Sequence, residues 1–294
     1  MEKALSNRWV LSLFLLPGLL LFTVFFIYPV VQTVYYSLHN WDGVTSMKFV
    51  GLDNYVKMFT DDPNFKKAFV NGLVFVFFSL IFQLPAAFIL ALLVSRKVKG
   101  SKWFRNIYFF PVIMSTTMVS LMWGKMFDPT IGLINSILRS IGLESWAQLW
   151  LGDSNTAIFA VAFVLVWHHI GYHMLIMYAG IQSIPEQIYE AAKLDGASNL
   201  RVIWHVTLPL LADVLKVDVV LAVVGSLKVF EQVYVMTGGG PDNSTTVIAL
   251  RMFQEAFLKM NFGYGSALAV FLVIQCMGIA WIINKLFARN VARL

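Results

Sequence analysis

Six long apolar runs constrain the fold of this chain more than any other feature of its sequence. They cover residues 9–37, 68–95, 104–127, 156–181, 206–236 and 265–287. A helix needs about 20 apolar residues to cross the ~30 Å hydrocarbon layer of a bilayer. The chain of 294 residues is 59% hydrophobic and only 13% charged, which is unusual for a soluble domain. The runs predict an all-α, polytopic membrane protein with six transmembrane helices, and we treat residues 1–294 as a single transmembrane domain.

The basic residues predict the orientation of these helices, because short cytoplasmic loops are enriched in Lys and Arg. They cluster after the second run and at the two chain ends, as Arg96, Lys97, Lys99, Lys102 and Arg105, as Lys3 and Arg8, and as Lys285, Arg289 and Arg293. The first long loop instead balances four lysines against four aspartates. Both termini and the connection 182–205 should therefore be cytoplasmic. The net charge of +6 then mostly reflects basic residues in the cytoplasmic loops, which set the orientation of the helices, and it does not indicate nucleic-acid binding.

A polar segment separates the fourth and fifth runs and reads EAAKLDGASNLRVIWHVTLPLL from Glu190 onward. Ser183, with Glu186 three residues later, is typical of a capping box and predicts a helix that continues to Lys193. Gly196 favours the left-handed backbone position that follows a helix. A second short helix is predicted at 200–205, with Ser198 or Asn199 as its cap.

Leu208-Pro209 should break this second helix before the fifth span. The result is a helix–turn–helix at the cytoplasmic membrane surface. The small side chains of Ala191 and Ala192 beside Glu190 would let a partner protein approach closely. An ordinary capped connector between two spans would have the same turns, so the local sequence leaves both interpretations open.

The spacing of this segment resembles the EAA loop of binding-protein-dependent ABC importers. The segment Glu190-Ala191-Ala192 is followed by three residues, Gly196, nine residues and then Val206-Thr207-Leu208-Pro209. The family usually has Ile where this chain has Val206. FVGLDNYVKMF and VFEQVYVMTGGGPDNSTT resemble further segments of the carbohydrate-uptake permeases, specifically those similar to the larger maltose permease subunit (MalF/UgpA type). The resemblance covers nearly the whole chain.

This resemblance implies a type I ABC importer permease fold with a transmembrane core at about 68–287 and a cytoplasmic coupling loop at 183–209. In such importers the EAA helix seats in a groove on a cytoplasmic ATPase subunit. The contact residues implied here are Glu190, Ala191, Ala192, Asp195 and Gly196. The implied partners are a second, homologous permease in a heterodimer, two ATP-binding subunits and an extracellular sugar-binding protein. The implied location is the bacterial inner membrane.

No sequence feature predicts catalysis by the chain itself. The glycines at 238–240 are not followed by the Gly-Lys-[Ser/Thr] of a phosphate-binding loop, and we predict a turn at the outer mouth of the pathway. ATP and Mg²⁺ should be bound by partner ATPase subunits, and we expect no cofactor in this chain. Cys276 lies alone in an apolar run, which argues against thiol chemistry.

The fourth run carries candidate cargo-binding residues in the sequence WHHIGY, because polar groups inside membrane helices are functional candidates. By resemblance, Trp167, His169 and Tyr172 align with pathway positions of the maltose permease. The alternative is that the histidines pack between helices or line a wet vestibule. His169 and His173 are spaced for metal binding, but no third ligand is apparent, so we predict no metal site.

The fifth run adds Ser226, Lys228 and Glu231 to the predicted pathway. Lys228 and Glu231 are three residues apart and could pair on one helix face. Such a pair could line the pathway or fix the orientation of the helix. Asp213, Lys216 and Asp218 lie nearer the cytoplasmic end and are predicted to be interfacial.

The sequence thus predicts the permease subunit of an ATP-driven importer for a sugar, with an oligosaccharide as the expected cargo. A stand-alone secondary transporter or channel would predict internal repeats around broken helices, and no clear repeat is found. An intramembrane enzyme could use the histidines with Glu231 or Asp218, but no nucleophile or metal constellation accompanies them.

Overall fold

Helices make up most of the part of the protein that the structure describes. The computed structural model describes residues 8–95 and 100–291. The α-helices are α1 (Arg8–Phe22), α2 (Tyr28–Ser37), α3 (Asp53–Thr60), α4 (Pro63–Phe78), α5 (Leu84–Ser95), α6 (Ser101–Ile113), α7 (Thr116–Met126), α8 (Leu133–Ser140), α9 (Ala157–Ser183), α10 (Glu186–Leu194), α11 (Asn199–Val202), α12 (Leu208–Leu210), α13 (Ala212–Leu227), α14 (Glu231–Thr237), α15 (Ile248–Phe253) and α16 (Phe262–Val291). Two short strands, β1 (His39–Asn40) and β2 (Lys48–Phe49), pair antiparallel.

Some of the residues used to predict the orientation lie outside the described part of the chain. These are Lys3, Arg96, Lys97, Lys99 and Arg293. The cytoplasmic placement of the termini is therefore still a prediction from the sequence.

Five helical segments in the described residues are long and apolar enough to cross a membrane. They are Ser12–Ser37, Pro63–Ser95, Ala157–Ser183, Ala212–Thr237 and Phe262–Phe287, and they correspond to five of the six predicted spans. The remaining predicted span, at 104–127, consists of two helical pieces, Trp103–Ile113 and Thr116–Met126, which meet at a bend of 95°. Met114 and Ser115 between them have extended backbone, with ψ of 146° and 135°. Counted as one broken span, the pair gives six crossings.

Three π-helical turns carry the chain through prolines that would otherwise interrupt a helix. They are Thr23–Ile27, Ser79–Gln83 and Ile203–Thr207, and each ends two residues before a proline, namely Pro29, Pro85 and Pro209. In each turn the N–H of the residue before the proline donates to the carbonyl five residues back, as from Leu208 to Ile203. The wider turn relieves the clash between a proline ring and the carbonyl four residues back. The predicted break at Leu208-Pro209 is therefore wrong, since the chain stays helical from Asn199 to Leu210.

The chain divides into two compact units. Among the described residues, one unit holds residues 8–62 together with Arg251–Phe271, and the other holds residues 63–95, 100–250 and 272–291. The pathway residues and the coupling segment predicted from the sequence all lie in the second unit.

In the first unit, the Asn-Tyr pair of FVGLDNYVKMF closes the end of the first span. Asn54 Nδ2 donates to the carbonyls of Ser37 and His39 at 2.9 and 3.0 Å, and the Tyr55 hydroxyl donates to Ser37 Oγ at 2.7 Å. Because α2 ends at Ser37, the carbonyl of Ser37 has no partner within the helix, and Asn54 satisfies it.

The second unit is built around α9, which packs against α5, α6 and α13. Its side chains Met174, Met177 and Ile181 form a buried core with the start of α13 and with α5. Gly171 lets α9 approach α6 closely, since a Cβ there would overlap the carbonyl of Tyr108. This packing fixes the position of α9, the helix that carries the WHHIGY sequence.

Candidate functional site

The second unit contains a cavity of about 450 Å³ among its membrane helices. Helices α9 and α13 provide much of the wall, and the rest comes from α7, α14, the α13–α14 connection and the π-turn that precedes α5. Polar groups in a cavity at membrane depth are the expected composition of a binding site or pathway.

Five of the six predicted pathway residues line this cavity. They are His169, Tyr172, Ser226, Lys228 and Glu231. The sixth, Trp167, is not part of the lining among the described residues. Its ring packs edge-to-face on Trp123 with centroids 5.4 Å apart, within an apolar cluster that holds α7 against α9.

Three further polar residues line the cavity that were not singled out from the sequence, namely Gln83, Thr116 and Gln232. Gln83 accepts a hydrogen bond from Ser79 Oγ at 3.2 Å. Gln232 Nε2 lies 3.3 Å from His168 Nδ1, so His168 is held behind the wall. For Gln83 the available signal was a lone glutamine inside an apolar run, because a buried amide needs hydrogen-bond partners.

The predicted pairing of Lys228 with Glu231 on one helix face is absent from the described residues. Helix α13 ends at Leu227 and α14 begins at Glu231, so the two side chains are not on one continuous helix. Glu231 instead accepts a hydrogen bond from Thr117 Oγ1. The Lys228 side chain is exposed toward the cavity.

Asp218 is not interfacial, which corrects the prediction for this residue. Its side chain is 0% exposed, and its Oδ1 lies 2.7 Å from Nδ1 of His173, which is also buried. The spacing along α13 turns Asp218 toward α9, whereas Asp213 and Lys216 form a loose, more exposed pair at 3.8 Å. A carboxylate buried among membrane helices requires such a partner.

The coupling segment forms two helices around a glycine turn, as the sequence predicts. Helix α10 covers Glu186–Leu194, Gly196 has a φ of +76°, and Ser198 Oγ accepts from the N–H of Arg201 at 3.5 Å. The predicted capping box is wrong, because Ser183 Oγ donates to the carbonyl of Gly180 at 2.7 Å and so closes α9 instead.

This segment presents an exposed surface on the second unit. Glu190, Ala191, Asp195 and Gly196 are exposed, and Ala192 is half-buried. Two large apolar side chains stand beside them, with Leu194 89% and Leu200 70% exposed. Both leucines therefore leave apolar area uncovered at this surface.

Residues 58–293 match the family described as binding-protein-dependent transport system inner membrane component. The chain belongs to this family. It is therefore a multi-pass permease component of the inner membrane.

The relatives of this permease extend over nearly its full length. The probable ABC transporter permease protein YurN of Bacillus subtilis is 36% identical over 285 residues, which cover 96% of this chain and 97% of YurN. The multiple sugar-binding transport system permease protein MsmF of Streptococcus mutans is 35% identical over 274 residues, covering 93% of each chain.

A solved structure shares the fold of this permease. It is the bacterial alginate ABC transporter in complex with an alginate pentasaccharide-bound periplasmic protein, with a TM-score of 0.86 and 23% identity, covering 99% of this chain and 98% of that one. The expectation of an all-α importer permease fold is thus confirmed.

The glycine run of the permease forms a turn, as predicted. The N–H groups of Gly238, Gly239 and Gly240 bond to Val233 O, Thr237 Oγ1 and Thr237 O at 3.0, 3.2 and 3.0 Å. Asn71 Nδ2 donates to Thr246 O at 2.8 Å and anchors the turn to α4. A phosphate-binding loop presents its backbone N–H groups to the ligand, whereas these three are engaged within the loop.

Proposed function

We propose that this permease forms half of the membrane channel of an ATP-driven sugar importer. A binding protein delivers the sugar from outside, and a second, homologous permease completes the pathway. Two partner subunits bind ATP and Mg²⁺ and hydrolyse the ATP, and this chain has no ATPase activity of its own. The family assignment supports the dependence on a binding protein.

One connection in the second unit carries this proposal. The exposed coupling segment directly joins α9 to the helical stretch that leads into α13, and these two helices provide much of the cavity wall. Leu211, at the end of the segment, is fully buried in a core with Met174 and Met177 of α9. A force on the segment is therefore transmitted to the cavity through tightly packed side chains, which shift as a unit because protein interiors deform little.

The contact with an ATPase subunit is proposed to involve Glu190, Ala191, Ala192, Asp195 and Gly196. Helix α10 is short and closed by a left-handed glycine, so it behaves as a rigid lever. Glu190 also borders a groove of about 680 Å³ between α10 and the end of α9. The exposed Leu194 supplies apolar area at the same surface.

A sugar suits the chemistry of the cavity. Sugar hydroxyls both donate and accept hydrogen bonds, and the wall offers the amides of Gln83 and Gln232 and the imidazole of His169. Nδ1 of His169 is bonded to the carbonyl of Leu165 at 3.1 Å, so Nε2 is the nitrogen left for a ligand. Tyr172, 40% exposed, provides an aromatic face for a sugar ring. The relative MsmF is named for sugar transport, and the structural neighbour is an alginate importer.

The test is uptake by purified proteins in liposomes that contain ATP. The permease alone is compared with the complete complex and its binding protein, with radiolabelled maltose, cellobiose, raffinose and glycerol 3-phosphate as probes. We expect uptake of at least one of the sugars only when the complete complex, the binding protein and ATP are all present. Sugar flux through the permease alone would contradict the proposal and favour an autonomous transporter, and exclusive uptake of glycerol 3-phosphate would refute the sugar assignment.

A further inference from the structure

His173 lies in the cavity wall with one of its two ring nitrogens already bonded. Its Nδ1 lies 2.7 Å from Oδ1 of Asp218. Its Nε2 has no hydrogen-bond partner among residues 8–95 and 100–291. This atom is not fully enclosed and keeps some accessible surface. Since the residue lines the cavity and its side chain is 5% exposed, Nε2 can be reached from the cavity.

Asp218 stands behind His173 and does not itself line the cavity. Its side chain is 0% exposed, and Oδ2 has no partner among the described residues. A buried carboxylate in a membrane protein is costly, whereas Val or Leu would fill the same space in α13 at no such cost. A carboxylate oxygen can only accept, so it keeps a proton on Nδ1 and fixes the plane of the ring. Carboxylates orient histidine ligands of metals in the same way.

We infer that His173 binds the cargo directly and that Asp218 is its positioning residue. Nε2 of His173 forms a hydrogen bond with a hydroxyl group of the sugar in the cavity. A hydroxyl donates to a bare Nε2 and accepts from a protonated one, so the contact exists in either protonation state of the ring. The inference depends on the proposed function, because it assumes that a sugar enters this cavity.

The cavity around His173 suits a hydroxyl-rich ligand. Tyr172 lies next to it with ring centroids 5.2 Å apart and the planes nearly perpendicular, so an aromatic face stands beside a hydrogen-bonding edge. His169 lies one helical turn away on the same wall. An aromatic face combined with directed hydrogen bonds is the expected composition of a sugar site.

The alternative is that the pair only fastens α9 to α13. Two substitutions separate these roles, because the amide of Asn can replace Nδ1 and the amide of Gln can replace Nε2. His173→Asn keeps a donor toward Asp218 and removes the group at the cavity. His173→Gln keeps a group at the cavity and removes the donor toward Asp218.

The first experiment measures ATP-dependent uptake by the complete complex in liposomes, with the sugar that the wild-type complex takes up from maltose, cellobiose and raffinose. We expect His173→Asn to lower the uptake rate roughly tenfold, which corresponds to the loss of about one hydrogen bond. His173→Gln should keep most of the wild-type uptake rate. The uptake rate of Asp218→Asn should lie between those of the two His173 variants, and Asp213→Asn, a control on α13, should leave the rate unchanged. Full uptake by His173→Asn with loss in His173→Gln would overturn the inference in favour of a purely structural pair.

The second experiment needs no variant and so is independent of folding defects. Diethyl pyrocarbonate modifies accessible imidazole nitrogens, and mass spectrometry reports the modification of each histidine. The transported sugar should slow modification of His173 severalfold, whereas a sugar that the complex does not transport should have no effect, and His205 should react equally in both. Equal reaction of His173 with and without the transported sugar would contradict direct binding. If the wild-type complex takes up no sugar at all, it is the proposed function that fails.

Discussion

Gly196 occupies a backbone conformation that other residues adopt only with strain. Its φ is +76°, and no heavy atom lies within 4 Å of the position of a Cβ, so Gly196→Ala adds about 1 kcal/mol of local strain without a clash. The turn between α10 and α11 should then shift. We expect the importer to keep hydrolysing ATP while sugar uptake per ATP falls severalfold, because the lever no longer moves the membrane helices in step. The measurement is the ratio of the two rates in liposomes.

Gly142 is a matched control for this substitution. It has a φ of +79° with no heavy atom within 4 Å of its Cβ position, and it follows α8, outside the coupling segment. Gly142→Ala imposes the same strain and should leave the ratio unchanged. An equal loss in both variants would show that strain alone, and not the coupling turn, is responsible.

Single residues of the site could be predicted where their chemistry was exceptional in its surroundings. His169, Ser226, Lys228 and Glu231 are polar groups in apolar runs, and they line the cavity. Trp167 could not be placed in this way, because an aromatic ring suits a pathway and a helix interface equally well. Its contact with Trp123 depends on how α7 bends toward α9, which local sequence does not encode.

At the scale of the helix, the contact between α6 and α9 depends on Gly171. A Cβ at this position would overlap the backbone carbonyl of Tyr108, and a backbone group cannot turn aside as a side chain can. We expect Gly171→Ala to destabilise the permease by about 1–3 kcal/mol, the usual range for overpacking. Thermal unfolding of the purified protein in detergent measures this effect.

Gly124 in α7 provides the comparison, since no heavy atom lies within 4 Å of its Cβ position. Gly124→Ala should leave stability unchanged or raise it by up to about 1 kcal/mol through helix propensity. A Gly171→Ala variant as stable as Gly124→Ala would show that α6 and α9 do not pack closely at Gly171 and Tyr108.

The helices could be predicted from hydrophobic runs, but their interruptions could not. A proline in the sequence predicts that a helix is interrupted. Pro209, however, follows a π-turn, and the chain remains helical through it. The true break lies after Pro111, at Met114 and Ser115. Whether a helix absorbs a proline depends on space for a wider turn, and that space is provided by distant residues packed around it.

At the scale of the molecule, the bent pair of α6 and α7 decides on which side of the membrane each loop lies. If the pair crosses as one span, Ser101 and Leu194 lie on the same side, because the pair and α9 are the two crossings between them. If the pair enters and returns on one side, only α9 separates them, and they lie on opposite sides. The coupling segment and the basic connection before α6 are both predicted to be cytoplasmic, which requires the first arrangement.

This arrangement can be tested by labelling single cysteines in right-side-out membrane vesicles. The natural Cys276 is the only cysteine, so Cys276→Ala gives a background without thiols, to which Ser101→Cys, Ser154→Cys or Leu194→Cys is added. We expect a membrane-impermeant maleimide to label Ser154→Cys in sealed vesicles, and Ser101→Cys and Leu194→Cys only after permeabilisation.

Labelling of Ser101→Cys and Ser154→Cys together in sealed vesicles would show that the bent pair of α6 and α7 is re-entrant. Labelling of Leu194→Cys in sealed vesicles would place the coupling segment outside the cell, where no ATPase subunit could reach it, and the proposed mechanism would then fail.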